Sequence, residues 1–314
     1  MAQVSIARLF EDNREKLKLE WVAGRAGGAK LLNSELTKDS SRGLIGHLNF
    51  IHPNLIQVLG ASEVAYLNGL DSADCRSRLA RAATQELACF IVAGIEQPPQ
   101  LLLEVAESRA TALFRSPVAS VELMWMLRPY LARALAESTT AHGVFLDVLG
   151  MGVLITGDSG VGKSELGLEL VSRGSGLVAD DVVELYRIGP ETVEGRCPGL
   201  LKDFLEVRGL GVLNVRTIFG EAALRPRKNL KLIVHLARPA ATEGVPMERL
   251  PLAAGSERVM GVEIRKVTIP VAAGRNLAVL TEAAVRNYVL QLRGFDSTQE
   301  FIDRQSHQLN GDEQ

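Results

Sequence analysis

Residues 143–164 read GVFLDVLGMGVLITGDSGVGKS, and the last eight of them decide the fold. Gly157, Gly162, Lys163 and Ser164 stand at the spacing G-x-x-x-x-G-K-[ST] of a phosphate-cradling loop. Glycines let successive backbone N–H groups turn inward around phosphate oxygens. A lysine ammonium reaches the outer phosphates, and a serine hydroxyl can complete a magnesium shell. The flanks supply the context such a loop needs. GMGVLITG before it is an apolar, β-branched run with the pattern of a buried parallel strand, and SELGLELVSRG after it is apolar at helical spacing and stopped by Gly174. Strand, loop and helix in this order place the positive end of a helix beneath the phosphates.

The chain has 314 residues, long enough for two domains or for one large α/β domain. Its 35 basic and 37 acidic residues leave a formal charge of −2, which gives no global pull toward nucleic acid or an anionic membrane. Cys75, Cys89 and Cys197 are far apart and form no C-x-x-C pair, so neither a disulfide framework nor a thiolate zinc site is indicated. MAQVSIARLFEDNREKLKLEWVAG lacks a basic segment followed by an apolar core, and no apolar stretch approaches a membrane span. A cytoplasmic protein is expected.

Short strands and helices alternate up to about residue 117. IARLFEDNREKLKL reads as a helix, HLNFIHPNLIQVLG carries strand and turn signals around Pro53, and CFIVAG reads as a buried strand. His47 and His52 flank an apolar segment without a partner cluster and are read as structural. VELMWMLRPYLARALAE is a helix kinked or restarted at Pro129. The boundary is placed near residue 130, giving an N-terminal α/β domain over 1–130 and the loop-bearing domain over 131–314. In the latter, GVFLDVLG and GMGVLITG are two strands with a glycine turn, and further strands fall at GLVADDVVEL, NLKLIVHLA and RKVTIPVA. The polar tail STQEFIDRQSHQLNGDEQ frays or forms a short docked helix.

SGLVADD ends on Asp180 and Asp181. A strand following the loop helix so closely is expected near the loop strand, with acids at its carboxyl end facing the ligand crevice. One carboxylate can hold magnesium while another takes a proton from an attacking hydroxyl; the alternative is a pair of turn or cap residues. Adjacent strand residues point to opposite faces, so one of the two is expected to face the crevice. Glu206 and Arg208 open EVRGLGVLNVRTIFG, which suits either a loop bringing a carboxylate and a guanidinium to an anion or an ordinary bulged strand. His142 in TAHGVF is a hydrogen-bond donor, a proton shuttle or a structural residue. Arg249 in MERLP and Arg275 in PVAAGRN either neutralise phosphate charge or cover apolar surface with their stems.

In order and spacing, HGVFLDVLGMGVLITGDSGVGKSELGLELVSRG, LVADD, EVRGLGVLNV and IPVAAGRNLAV resemble the HPr kinase/phosphorylase family. The resemblance is strongest over 142–214, resumes over 249–279 and is weak in the N-terminal half. It implies an α/β protein whose C-terminal P-loop kinase domain is related to the phosphoenolpyruvate carboxykinase core, beside a smaller N-terminal α/β domain. The implied enzyme regulates carbon metabolism. It phosphorylates a serine of the phosphocarrier protein HPr with ATP or pyrophosphate, and removes that phosphate with inorganic phosphate to give pyrophosphate. By motif position the resemblance implies that Gly157, Asp158, Ser159, Gly160, Val161, Gly162, Lys163 and Ser164 bind ATP. It likewise puts Ser164 and Glu206 on Mg2+, makes Asp181 the proton acceptor in one direction and donor in the other, and completes the catalytic set with His142, Lys163 and Arg249. A homohexamer is implied as well. Two positions depart from the family pattern: Ser175 stands where histidine is usual, and PVAAGR replaces PVRPGR, a segment linked to phosphorolysis. A regulatory GTPase would need an N/T-K-x-D motif on a later strand, and none occurs. The rival from another class is a nucleotide-dependent regulatory switch without protein kinase activity.

Overall fold

A computed structural model describes residues 2–33, 43–84, 86–238 and 255–311. The chain divides into two compact units, Met1–Glu137 and Ser138–Gln314.

The first unit is built on a five-stranded sheet. Its elements in chain order are β1 (Gln3–Ser5), α1 (Ile6–Leu17), β2 (Glu20–Ala23), β3 (Leu31–Asn33), β4 (Ile45–His47), β5 (Ile56–Leu59), α2 (Ala61–Asn68), α3 (Ser72–Ala82), β6 (Cys89–Ala93), α4 (Gln100–Ser108), β7 (Ala112–Ser116) and α5 (Ser120–Ala134). Strands β4 to β7 are parallel neighbours in sequence order, and β2 closes one edge antiparallel to β7. The apolar run of β6 is explained by burial on both faces. Cys89, Ile91 and Ala93 enter a core with residues of α1 and α5, while Phe90 and Val92 enter another with residues of α2, α3 and α4. The helix expected to kink or restart at Pro129 is one element, with Pro129 inside it.

The second unit opens on β8 (Glu137–His142). It comprises β9 (Val144–Val148), β10 (Met151–Gly157), α6 (Lys163–Ser172), β11 (Gly176–Ala179), β12 (Val182–Gly189), β13 (Thr192–Arg196), β14 (Phe204–Val207), β15 (Gly211–Asn214), α7 (Val215–Phe219), β16 (Arg227–Ala237), β17 (Ser256–Val259), β18 (Val262–Pro270), α8 (Leu277–Leu292) and α9 (Ser297–Gly311). Its large sheet runs β11-β9-β10-β16-β13-β12-β8, with β18 also beside β16 and β17 beside β18. Residues 232–236 of the long strand β16 lie parallel to both β10 and β18, while its first three pair antiparallel with β13.

The loop strand β10 has the parallel neighbour expected of it, β16, on one side, and on the other is antiparallel to β9 across the glycine turn. The cause is local. Val148 and Met151 pair across a two-residue turn, Leu149–Gly150, with φ of 52° and 87°, both left-handed as a tight hairpin requires. Strand β11 pairs with β9 and so sits one strand away from β10. Val144, Leu146, Val153 and Ile155 pack with Leu166 and Leu170 of α6 in one core, while Phe145 and Leu154 join another. Leu170 is fully buried, and its truncation to Ala would cost about 2–5 kcal/mol. The polar tail expected to fray or dock is helix α9.

Candidate functional site

Strand β10 ends at Gly157 with φ of 142°, where an added Cβ would lie 2.5 Å from the Leu236 carbonyl of β16. Only glycine lets the chain leave the sheet there without parting two paired strands. The chain then loops to Gly162, with the Val161 side chain buried in the core beside α6. Gly162, at φ of 101°, is the N-cap residue, and no side chain caps the helix. The first N–H groups of α6 are therefore left for a ligand, at the positive end of the helix. Lys163 folds back in this structure, its Nζ donating to the carbonyls of Gly157 at 3.0 Å and Asp158 at 2.9 Å.

Asp180 ties the site together. It is 6% exposed, its Oδ1 accepts the Ser164 hydroxyl at 3.1 Å, and its Oδ2 accepts the Glu206 backbone N–H at 2.8 Å. Burial pushes its carboxyl above the ordinary range, opposed by those two bonds and by the Asp181 backbone N–H. Position 206 thus reaches Ser164 through Asp180, while the Glu206 side chain itself is exposed on β14.

The two aspartates do not alternate as strand residues. Strand β11 stops at Ala179, and Asp181 sits at φ of 63° in a three-residue turn closed by the Val182 N–H on the Asp180 carbonyl at 2.8 Å. A turn of this kind carries strain that aspartate tolerates better than most residues. Asp180 is turned inward by it, and Asp181 stands 75% exposed. His142, at the end of β8, brings Nδ1 to 3.8 Å from Asp181 Oδ1, and the Gly143 N–H donates to the Asp181 carbonyl at 3.0 Å. Gly143 is required for this approach, since a Cβ there would lie 2.3 Å from the Ile155 carbonyl of β10.

Arg208, in the turn between β14 and β15, brings Nη1 to 3.4 Å from the Cβ position of Gly160. The segment PVAAGRN follows β18, and its Gly274, Arg275 and Asn276 face Gly162, Glu165 and Glu169 across a pocket of about 440 Å3. Ser175 is buried, its N–H closing the end of α6 on the Leu170 carbonyl at 2.9 Å. Arg249 lies outside the described residues.

Two residues here were not singled out from sequence. Arg238, just past β16, donates Nη2 to the Ser159 carbonyl at 2.6 Å. His235 Nδ1 lies 3.1 Å from Thr156 Oγ1, beside the exit of β10. Their signal is positional: both stand at the carboxyl end of a strand parallel to the loop strand, where ligands of open α/β sheets collect.

Chemically, the arrangement offers inward-facing amides and a lysine for phosphate, hard oxygen donors at Ser164 and Asp180, and a carboxylate–imidazole pair at the rim. Among the described residues no three of His, Cys, Asp or Glu form a metal cluster. A magnesium ion here would draw much of its shell from phosphate and water, as magnesium commonly does. Also among the described residues, no helix is long and apolar enough to cross a membrane.

Two family models match the chain, HPr Serine kinase N terminus over residues 4–131 and HPr Serine kinase C-terminal domain over residues 133–305. An HPr kinase/phosphorylase from Nitrosomonas europaea is 58% identical over 99% of this chain and 96% of its own length. One from Chromobacterium violaceum is 53% identical over 100% of this chain and 98% of its own. Among solved structures, the Hpr(Ser) kinase/phosphatase from Coxiella burnetii is similar, 36% identical with a TM-score of 0.46 across 52% of this chain and 98% of that one. With both models in register along its length and relatives matched nearly end to end, the chain belongs to the HPr kinase/phosphorylase family.

Proposed function

We propose that this chain is a bifunctional protein-serine kinase/phosphorylase. It transfers a phosphoryl group from ATP or pyrophosphate to a serine of the phosphocarrier protein HPr, and in reverse uses inorganic phosphate to release pyrophosphate. The observation that carries this assignment is the junction of Ser164, Asp180 and position 206 at the mouth of the phosphate loop, with Asp181 and His142 beside it. Family membership supplies the partner. Regulation of carbon metabolism, a cytoplasmic location and a homohexameric assembly belong to the same reading.

Residues 157–164 cradle the phosphates, and Lys163 leaves the carbonyls of Gly157 and Asp158 to meet them. Ser164 and Glu206 would hold Mg2+, which when bound would offset the charge developing on the phosphates. Asp180 orients the Ser164 hydroxyl. Its raised carboxyl pKa fits a group whose buried charge is completed by a cation. Asp181 accepts the proton of the attacking serine and returns it in the reverse direction, by microscopic reversibility, and His142 Nδ1 stands near enough to steady that carboxylate. Arg249 completes the catalytic set, and Arg275 lies by the entrance of α6.

The test is incubation of the purified chain with γ-labelled ATP, Mg2+ and HPr. Label on an HPr serine, discharged as pyrophosphate on adding inorganic phosphate, is the expected result. ATP binding or hydrolysis without label on HPr would instead establish a nucleotide-dependent switch.

A further inference from the structure

The phosphate loop is held from behind by cations. A peptide unit is planar, so its C=O and the following N–H point in opposite directions. A loop that turns N–H groups inward to phosphate must therefore turn the preceding carbonyls outward, where on a surface nothing but water need hold them. Here three successive carbonyls have cationic donors. Lys163 takes those of Gly157 and Asp158, and the Arg238 Nη2 takes that of Ser159 at 2.6 Å. The Arg238 Nε also stands 3.9 Å from Asp158 Oδ2, so one planar guanidinium spans a carbonyl and a carboxylate of adjacent residues. Gly160, whose N–H opposes the Ser159 carbonyl, is left-handed at φ of 72°, with Arg208 and Arg238 nitrogens 3.4 and 3.9 Å from its Cβ position.

The two holds differ in permanence. In the proposed reaction Lys163 abandons its carbonyls for the phosphates, whereas Arg238 comes from just past the end of another strand and that reaction assigns it no move. Among the described residues Arg238 is the side chain that donates to the Ser159 carbonyl.

We infer that Arg238 is a positioning residue of the phosphate loop: its guanidinium locks the Ser159–Gly160 peptide with the Gly160 N–H turned toward the ligand, and thereby sets affinity for polyphosphates. The inference rests on the loop being the phosphate site of the proposed function. Arg238 itself need not touch the reacting atoms.

Calorimetric titration with Mg–ATP and with pyrophosphate, hydrogen–deuterium exchange over residues 157–163 of the ligand-free protein, and steady-state kinetics test it on the full chain. Arg238→Met should weaken both ligands by about tenfold, the scale of a charge-assisted hydrogen bond. The loss should fall on KM more than on kcat, and the loop amides should exchange faster. Arg238→Lys should recover part of the affinity, because an ammonium can donate to the carbonyl but cannot span to Asp158 as well. The guanidinium is half exposed, 53%, so melting temperatures should stay near wild type, and Arg238→Gln provides a second neutral variant. Affinities within about twofold of wild type with unchanged exchange overturn the inference, as does a fall in kcat at unchanged KM. If the wild-type chain binds neither ligand, the phosphate-site assignment itself falls, a result distinct from a wild type that binds and variants that bind equally well.

Discussion

Each unit sends a strand of parallel pairing into a helix through glycine, and the two junctions end differently. At β5–α2, Gly60 leads straight into the helix, and its N–H is taken by the Glu63 carboxylate at 2.9 Å, which also lies 3.3 Å from His47 Nδ1. At β10–α6 a loop intervenes, Gly162 precedes the helix, and no side chain caps it. One N-cap N–H is held by the protein's own carboxylate; on the proposed function, the other helix start receives an anion from outside. Strand-then-helix order is therefore common to both units, and what separates scaffold from site is whether a carboxylate of the chain already holds the N–H of the N-cap glycine.

The largest effect that tests this contrast is expected from Lys163→Ala. Removing the loop's movable cation should lower phosphoryl transfer at least about a thousandfold, with an unchanged melting temperature. Near wild-type transfer would mean that the open helix start is not the phosphate site. Next comes Asp181→Asn, which keeps a residue tolerant of the left-handed turn and removes the proposed proton acceptor. Kinase and phosphorylase rates should fall together by about 10²–10⁴-fold while ATP still binds, as labelled-HPr assays in both directions will read out. Sparing of either direction would move the proton to another group.

A subtler effect concerns Asp180 and pH. Its folded-state pKa is raised by burial, so the folded protein holds that proton more tightly than the unfolded chain does. The stability this confers is fully present below the unfolded carboxylate value, about pH 4, and is lost as pH rises through the folded value. Asp180→Asn abolishes this dependence. In melts without ligand, the variant should therefore gain on wild type as pH rises above about 4, and a flat or opposite difference would contradict the buried-charge account. The smallest effect belongs to the closed junction. Glu63→Gln should cost about 1 kcal/mol in urea unfolding and leave ATP affinity unaltered.

Much of the site was legible because it is local. Loop glycines, Lys163, Ser164 and the strand and helix around them lie within one continuous stretch, and each element's pattern is set by its own burial. The Asp180–Asp181 pair was visible as chemistry, but its geometry was not: strand alternation fails because the chain turns at Asp181, and nothing in LVADD signals a left-handed residue. Strand β13 escaped notice because it is short and Glu194 and Gly195 break its apolar alternation, while β14 and β15 were legible only as the alternative of an ordinary bulged strand. Arg238 and Ser159, 79 residues apart, meet only because β10 and β16 pair in parallel. No spacing rule within a single stretch encodes such a contact.

That parallel pairing also governs when the site comes into being. The β9–β10 hairpin closes through a two-residue turn and can form as soon as residue 157 clears the ribosome. Its other neighbour is far behind: Thr156 pairs with His235, 79 residues downstream, and the Leu236 carbonyl that packs against Gly157 arrives with the same late strand. Non-local parallel pairing is slow to form, and chains emerge at about 5–20 residues per second. For several seconds of each synthesis the glycine-rich loop thus exists without the strand that shapes it. On the proposed function, nucleotide capture belongs to the finished second unit, and a truncated nascent chain ending before β16 would carry the whole phosphate motif yet bind no ATP.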